Sequence, residues 1–175
     1  MNLWRRRAGG VSRRELGAGV VTGLTALAVS VGAFVLTVTT DPAWLSADAR
    51  YWIGYAPQFA LVAGLLVGTL VWRRLASSTA TPRRGALVGA AIAVGTLLLV
   101  PVLAGLYVAA FPVLLGVFTG AEWGTVARVV PGYLQASLGV TRTVALGWSL
   151  LVAVVLVPLG ALGGWASQRF GRTGR

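Results

Sequence analysis

The sequence contains no cysteine, no histidine and no lysine, and only four of its residues are acidic. Without these side chains it offers no disulfide, no thiol nucleophile, no imidazole base and no Schiff-base lysine. A zinc site built from cysteine and histidine is excluded for the same reason. We therefore expect a protein that is not an enzyme, with no catalytic residues, no metal site and no bound cofactor.

Charge of either sign is also scarce. Charged residues make up 11% of the 175 residues and hydrophobic ones 57%, and the mean hydropathy is +0.81. Soluble domains carry about 25% charged residues, so this chain lacks the polar surface that a soluble fold needs. All fifteen basic residues are arginines, which give a net charge of +11. The composition predicts an integral membrane protein, and the absence of lysine beside abundant alanine and glycine favours a prokaryotic source.

Four uncharged segments are long enough to cross a bilayer. About 20 apolar helical residues span a hydrocarbon core of about 30 Å. The segments cover 16–40, 52–72, 85–110 and 143–166. They predict an all-α fold in which one membrane domain, residues 1–175, forms a bundle of four transmembrane helices.

The third uncharged stretch, from Gly85 to Gly120, is too long for one span and too short for two. We favour a helix that ends near Ala110, after which Pro112 redirects the chain. The alternative is one long, tilted helix with a kink at Pro101.

Two segments on the outer side, residues 42–51 and 112–140, are predicted to carry short amphipathic helices at the membrane surface. Asp41 followed by Pro42 is typical of a helix start. A stripe over 121–130 indicates another helix, which Pro131 would end. The first segment and the start of the second span hold aromatic residues on one helical face: Trp44, Tyr51, Trp52 and Tyr55. They predict an anchoring belt at the headgroup level, with a ligand-binding aromatic patch as the alternative.

Arginine distribution predicts the orientation. Twelve arginines lie in the tails, 1–15 and 167–175, and in the connection between spans two and three, against three on the other side. Positive charge marks the cytoplasmic face, so both termini are expected in the cytoplasm and the chain in the cell membrane. Contact with anionic lipid is predicted for Arg5, Arg6, Arg7, Arg73, Arg74, Arg83 and Arg84. No nucleic-acid-binding module accompanies these arginines, so nucleic acid is not an expected partner.

Every predicted span carries two glycines four residues apart. Small residues at this spacing let helix backbones approach closely in lipid. The first span continues the pattern as a stripe that includes Ser30. The predicted helix-packing residues are Gly19, Gly23, Ser30, Gly64, Gly68, Gly85, Gly89, Gly160 and Gly164.

Polar side chains inside the spans are few, and none of them is ionisable. Gln58 follows Pro57, whose missing N–H frees a carbonyl near Ile53 that a neighbouring amide could satisfy. Gln58 is therefore the predicted intramembrane polar contact. Hydrogen bonds of this kind favour a structural role, and a path for a neutral solute is the alternative.

Two further hypotheses concern chain organisation. Residues 12–16 resemble a twin-arginine export signal, with a small-x-small site at 47–49. The apolar run behind them is longer than that of a signal, so we expect the first span to be retained. Arg13-Arg14 before Gly19 parallels Arg83-Arg84 before Gly85, which suggests a two-plus-two repeat.

These features favour a multi-pass membrane protein that is a non-catalytic accessory, assembly or scaffold subunit. The expected partners are membrane lipids and either a second membrane protein or further copies of the chain. The alternative function is a component of a small oligomeric transporter or channel for a neutral solute.

Overall fold

The computed structural model describes residues 13–75 and 81–170, and all regular structure within these ranges is helical. The helices are α1 (Arg13–Thr40), α2 (Ala47–Leu75), α3 (Pro82–Thr119), α4 (Trp123–Val144) and α5 (Leu150–Phe170). A π-helical turn, Ala145–Ser149, joins α4 to α5 without a break. Four stretches are long and apolar enough to cross a bilayer: Glu15–Thr40, Ala47–Arg74, Pro82–Thr119 and Trp123–Arg169. The prediction of an all-α protein with four candidate spans is confirmed.

Helices α1 and α2 form an antiparallel hairpin, which we call the N-terminal pair. The buried residues of α1 follow one stripe with alternating steps of four and three: Gly19, Gly23, Ala26, Ser30, Ala33 and Thr37. A Cβ atom on Gly64 would lie 2.7 Å from the Cα of Gly23, and one on Gly68 would lie 3.0 Å from the Cα of Gly19. No side chain fits between these backbones, so glycine sets the distance between the two helices.

Helices α3 and α5 form the C-terminal pair, which repeats this arrangement. A Cβ atom on Gly160 would lie 2.6 Å from the carbonyl oxygen of Gly89, and one on Gly164 would lie 3.0 Å from the amide nitrogen of Gly89. A Cβ atom on Gly85 would likewise collide with the carbonyl of Gly164. The core of the bundle contains Ile53 and Val100, together with Trp148 from the π-helical turn.

The prediction that the third helix ends near Ala110 and the chain turns at Pro112 is wrong. Helix α3 runs to Thr119 and ends at Gly120, whose φ of 67° is left-handed and whose N–H donates to the Gly116 carbonyl. A proline inside a helix removes one N–H donor and crowds the preceding turn. Here that cost is offset by packing, because Pro112 is buried and Gly116 lies directly against Val126 of α4. The alternative of one long third helix agrees with the structure.

The fourth span also differs from its prediction. A helix does begin next to Glu122, but Pro131 does not end it, and the helix continues through Val144 into α5. The predicted interfacial segment 112–140 is therefore divided between the end of α3 and most of α4. Contacts hold α4 along α3 past the proline, since a Cβ atom on Gly105 would lie 3.0 Å from the Ser137 carbonyl oxygen.

The prediction that a helix starts at Asp41 and Pro42 is wrong as well. The Asp41 N–H still donates to the Thr37 carbonyl at 3.1 Å, so Asp41 closes α1 instead of capping a new helix. Its φ of 41° turns the chain, and α2 begins at Ala47 after Ser46. The Arg50 guanidinium fixes this turn by pairing with the Asp41 carboxylate and donating to the Pro42 carbonyl.

A single hydrogen bond ties the π-helical turn to α3. The Ser149 hydroxyl donates to the Leu97 carbonyl at 3.0 Å. Leu97 lies four residues before Pro101, so its carbonyl has no N–H donor within its own helix. The side chain of a neighbouring helix thus satisfies a carbonyl freed by proline. This is the solution that the sequence suggested for Pro57 and Gln58, found at a different proline.

We expect Ser149→Ala to destabilise the protein by about 0.6 kcal/mol, and at most about 1.7 kcal/mol, the range for hydrogen bonds between membrane helices. The loss arises because the Leu97 carbonyl loses its donor in an apolar interior. In a Pro101→Ala background the residue at 101 supplies an N–H, so the same substitution should cost almost nothing. Thermal unfolding of the four proteins in detergent measures the coupling. Equal losses in both backgrounds would contradict it.

Candidate functional site

A cavity of about 400 Å³ lies between the two helix pairs, at the end where α1 begins and α5 ends. Helices α1, α3 and α5 supply most of its wall, and Trp72 of α2 completes it. We call this space the interpair cavity. It exists because glycines hold each pair tightly together, while α1 and α5 approach each other less closely.

The wall of the interpair cavity is almost entirely apolar. Its four hydroxyl groups each donate their proton to a carbonyl of their own helix at 2.8–2.9 Å: Thr22 to Ala18, Thr25 to Val21, Thr96 to Ile92 and Ser167 to Gly164. None of these protons is free for a ligand. The cavity therefore suits a hydrocarbon better than a polar solute.

Two glycines in the wall are not part of the helix contacts. Among the described residues, no atom beyond the nearby backbone of the same helix lies within 4 Å of a Cβ placed on Gly17 or on Gly163. Gly89 and Gly160, also in the wall, touch each other. Gly17 and Gly163 thus face open space. The sequence contained a signal for this difference, because neither glycine belongs to a pair at four-residue spacing that a neighbouring helix matches.

Arginines cluster at the same end of the bundle. Arg73 and Arg74 lie immediately after Trp72, Arg83 and Arg84 begin α3, and Arg169 lies two residues after Ser167. Arg169 stacks on the Trp165 ring, with 4.9 Å between its guanidinium carbon and the ring centroid. The other four are exposed, and their guanidinium groups make no hydrogen bond or ion pair within the described ranges. Of the acidic residues, Glu15 alone lies at this end.

The structure places the other predicted residues as follows. All the predicted helix-packing residues lie in the two helix pairs. Ser30 of α1 is fully buried, and its hydroxyl has no partner among the described residues. Gln58 is exposed and makes no hydrogen bond in the described part of the chain. Arg5, Arg6 and Arg7 lie outside the described residues.

Three of the four aromatic residues predicted to form a belt cluster at the surface, and none of the four lines the interpair cavity. Tyr51, Trp52 and Tyr55 contact one another with ring centroids 5.0–6.0 Å apart, while Trp44 lies by the turn before α2. Trp44 and Arg142 border a second cavity, of about 440 Å³, between the start of α2 and the end of α4. Among the described residues, the carboxylates of Asp41, Asp48 and Glu122 do not gather into a group that could hold a metal ion.

Sequence reasoning missed the π-helical turn and its buried tryptophan. Trp148 is completely buried, and its indole N–H has no acceptor among the described residues. The residue on its N-terminal side, Gly147, contacts Ala49 of α2. No periodicity in this part of the sequence distinguishes a π turn from an ordinary span. Comparison with known proteins adds no further guide, since no family model, curated protein or solved structure matches the chain.

Proposed function

We propose that this chain is a non-catalytic subunit of a membrane protein assembly, and that it binds its partner through the outer part of α3 and α4. We call this part, residues 105–140, the α3–α4 extension. The observation that carries the proposal is the apolar surface that the extension exposes beyond the length that crosses a bilayer. The absence of histidine, cysteine and lysine from the sequence supports a role in binding over one in catalysis.

The α3–α4 extension exceeds what is needed to cross a bilayer. Helix α3 has 38 residues, which corresponds to about 57 Å, while the hydrocarbon core is about 30 Å thick. The first half of α3 packs on α5 at Gly85 and Gly89, and the second half packs on α4 at Gly105 and Gly116. The second half and α4 therefore form a helical hairpin beyond the glycine-packed pairs.

The exposed face of the α3–α4 extension is strongly apolar. Phe118 is 85% exposed, Trp123 65% and Leu138 74%, and α4 buries only Val126 and Val144 among its described residues. Lipid does not account for exposed apolar side chains beyond the hydrocarbon core, and aromatic and large apolar side chains are typical of protein interfaces. An accessory or scaffold subunit would cover this face with a partner chain, either a different membrane protein or a second copy.

We place this subunit in the cell membrane with both termini in the cytoplasm. Antiparallel helices bring the start of α1, the end of α5 and the connection between α2 and α3 to one end of the bundle. The four arginines that flank this connection, Arg73, Arg74, Arg83 and Arg84, lie at that end and favour its location on the cytoplasmic side. The α3–α4 extension then lies on the outer side.

Photocrosslinking tests the proposed interface. A photoreactive amino acid at Leu138 should give a discrete adduct with one membrane protein in native membranes, because the partner covers this face. The matched control is Val154 of α5, which is 77% exposed and lies away from the extension. It should crosslink only to lipid. The proposal would be wrong if Leu138 gave no protein adduct, or if both positions gave the same one.

A further inference from the structure

We infer that the interpair cavity binds one acyl chain of an anionic phospholipid, and that the phosphate of this lipid lies against the arginines at the same end. The inference requires the chain to lie in a bilayer. It does not depend on the partner proposed for the α3–α4 extension, so either proposal can fail without the other.

The interpair cavity has the size and the wall of a site for a hydrocarbon chain. A space of about 400 Å³ falls within the range of protein cavities that hold small ligands, about 300–1,000 Å³. Its hydroxyl protons are all donated to helix carbonyls, so its surface offers mainly dispersion contacts. A hydrocarbon chain gains such contacts, whereas a polar solute or water would lose hydrogen bonds on entry.

The opening of the interpair cavity lies on the side of the bundle. Val21, Leu159 and Gly163 are wall residues that are exposed at the surface of candidate spans. In a bilayer these positions face lipid. The cavity therefore opens sideways between α1 and α5, where an acyl chain enters without leaving the hydrocarbon region.

Arginines lie next to the residues that line the interpair cavity. Trp72 lines the cavity and is followed at once by Arg73 and Arg74, while Ser167 lines it two residues before Arg169. A lipid with its chain in the cavity thus has its phosphate at the level of these guanidinium groups. Arginine binds phosphate through paired N–H donors, and basic pockets between membrane helices hold anionic headgroups. A zwitterionic lipid fits the cavity but gains less from the arginines.

Native mass spectrometry of the purified protein tests the inference. Protein from micelles that contain phosphatidylglycerol and phosphatidylcholine in equal amounts should retain one phosphatidylglycerol. Gly163→Leu fills the open space in the wall and should lower this occupancy about tenfold, which corresponds to about 1.4 kcal/mol of binding free energy. Gly32→Leu is the matched control, because Gly32 also has no neighbour within 4 Å but does not line the cavity. Equal occupancy in both variants would overturn the inference.

Separate variants test the contact between the lipid phosphate and the arginines. Arg73→Gln combined with Arg74→Gln should abolish the preference for phosphatidylglycerol, whereas Arg128→Gln, at the opposite end, should leave it unchanged. A preference that survives loss of the two arginines would overturn the assignment of the phosphate.

A measurement on the unsubstituted protein covers the case in which Gly163→Leu fails to fold. Phosphatidylglycerol brominated in its acyl chains should quench Trp72 fluorescence more strongly than brominated phosphatidylcholine. The Trp72→Phe variant isolates this signal from the six other tryptophans. Equal quenching of Trp72 by the two lipids would overturn the inference.

Discussion

Gly89→Leu should unfold or severely destabilise the protein in detergent. The Cβ atom of the new side chain would collide with the carbonyl oxygen of Gly160, which is backbone and cannot turn aside as a side chain can. Helices α3 and α5 would have to separate along their contact, which removes the packing at Gly85 and Gly164 as well. Overpacking a close contact usually costs about 1–3 kcal/mol, and we expect at least the upper end here. The midpoint of thermal unfolding measures the loss.

Matched substitutions separate the contact from a general effect of leucine. Ala91→Leu places the same side chain on an exposed position of α3 and should leave the unfolding midpoint nearly unchanged. The N-terminal pair offers a parallel comparison, because Gly23→Leu enters the contact with α2 whereas Val20→Leu lies off the stripe. Equal stability of the contact variants and their controls would contradict the role of the glycines.

The sequence predicted the glycine contacts well because their cause is local and periodic. In α1 the stripe from Gly19 to Thr37 contains all the buried residues of the helix. A stripe of small residues specifies where another backbone can approach, and lipid provides no competing reason for small residues to cluster on one face. The count of candidate spans follows equally directly from their length and the absence of charge.

The prolines misled the prediction because their effect depends on what packs around them. Pro112 and Pro131 each remove one backbone N–H donor. Judged from the local sequence alone, a proline of this kind predicts the end of a helix. Contacts between α3 and α4, such as Gly116 with Val126, are not visible in either segment alone. At Pro101 the freed carbonyl finds Ser149, which lies 52 residues away. Tertiary contacts of this kind decide whether a helix continues.

The interpair cavity could not be predicted for a related reason. It is the space left over when two tight pairs meet, so no single helix encodes it. The sequence sets Gly17 and Gly163 apart from the paired glycines, but it does not show that both face the same space. The sequence did predict that arginines cluster at that end of the spans.

The arrangement of the pairs bears on the hypothesis of a two-plus-two repeat. In both pairs the glycine contact lies near the arginine-bearing end: Gly64 precedes Arg73 by nine residues, as Gly160 precedes Arg169. Helix α4 has no counterpart in residues 13–75, the described part of the first half. Duplication of a helical hairpin, followed by lengthening of α3 and addition of α4, would give this pattern. The two-plus-two repeat stays a prediction.

The central claim is that the helices cross a membrane with the arginine-bearing end inside, and cysteine labelling in intact cells tests it most directly. The chain has no cysteine of its own, so each introduced thiol reports one position. Ala43→Cys, in the turn between α1 and α2, should react with a membrane-impermeant reagent. Ser78→Cys, between α2 and α3 and outside the described residues, should react only after the cells are permeabilised. The reverse pattern would contradict the orientation, and labelling of both thiols in intact cells would contradict the crossing itself.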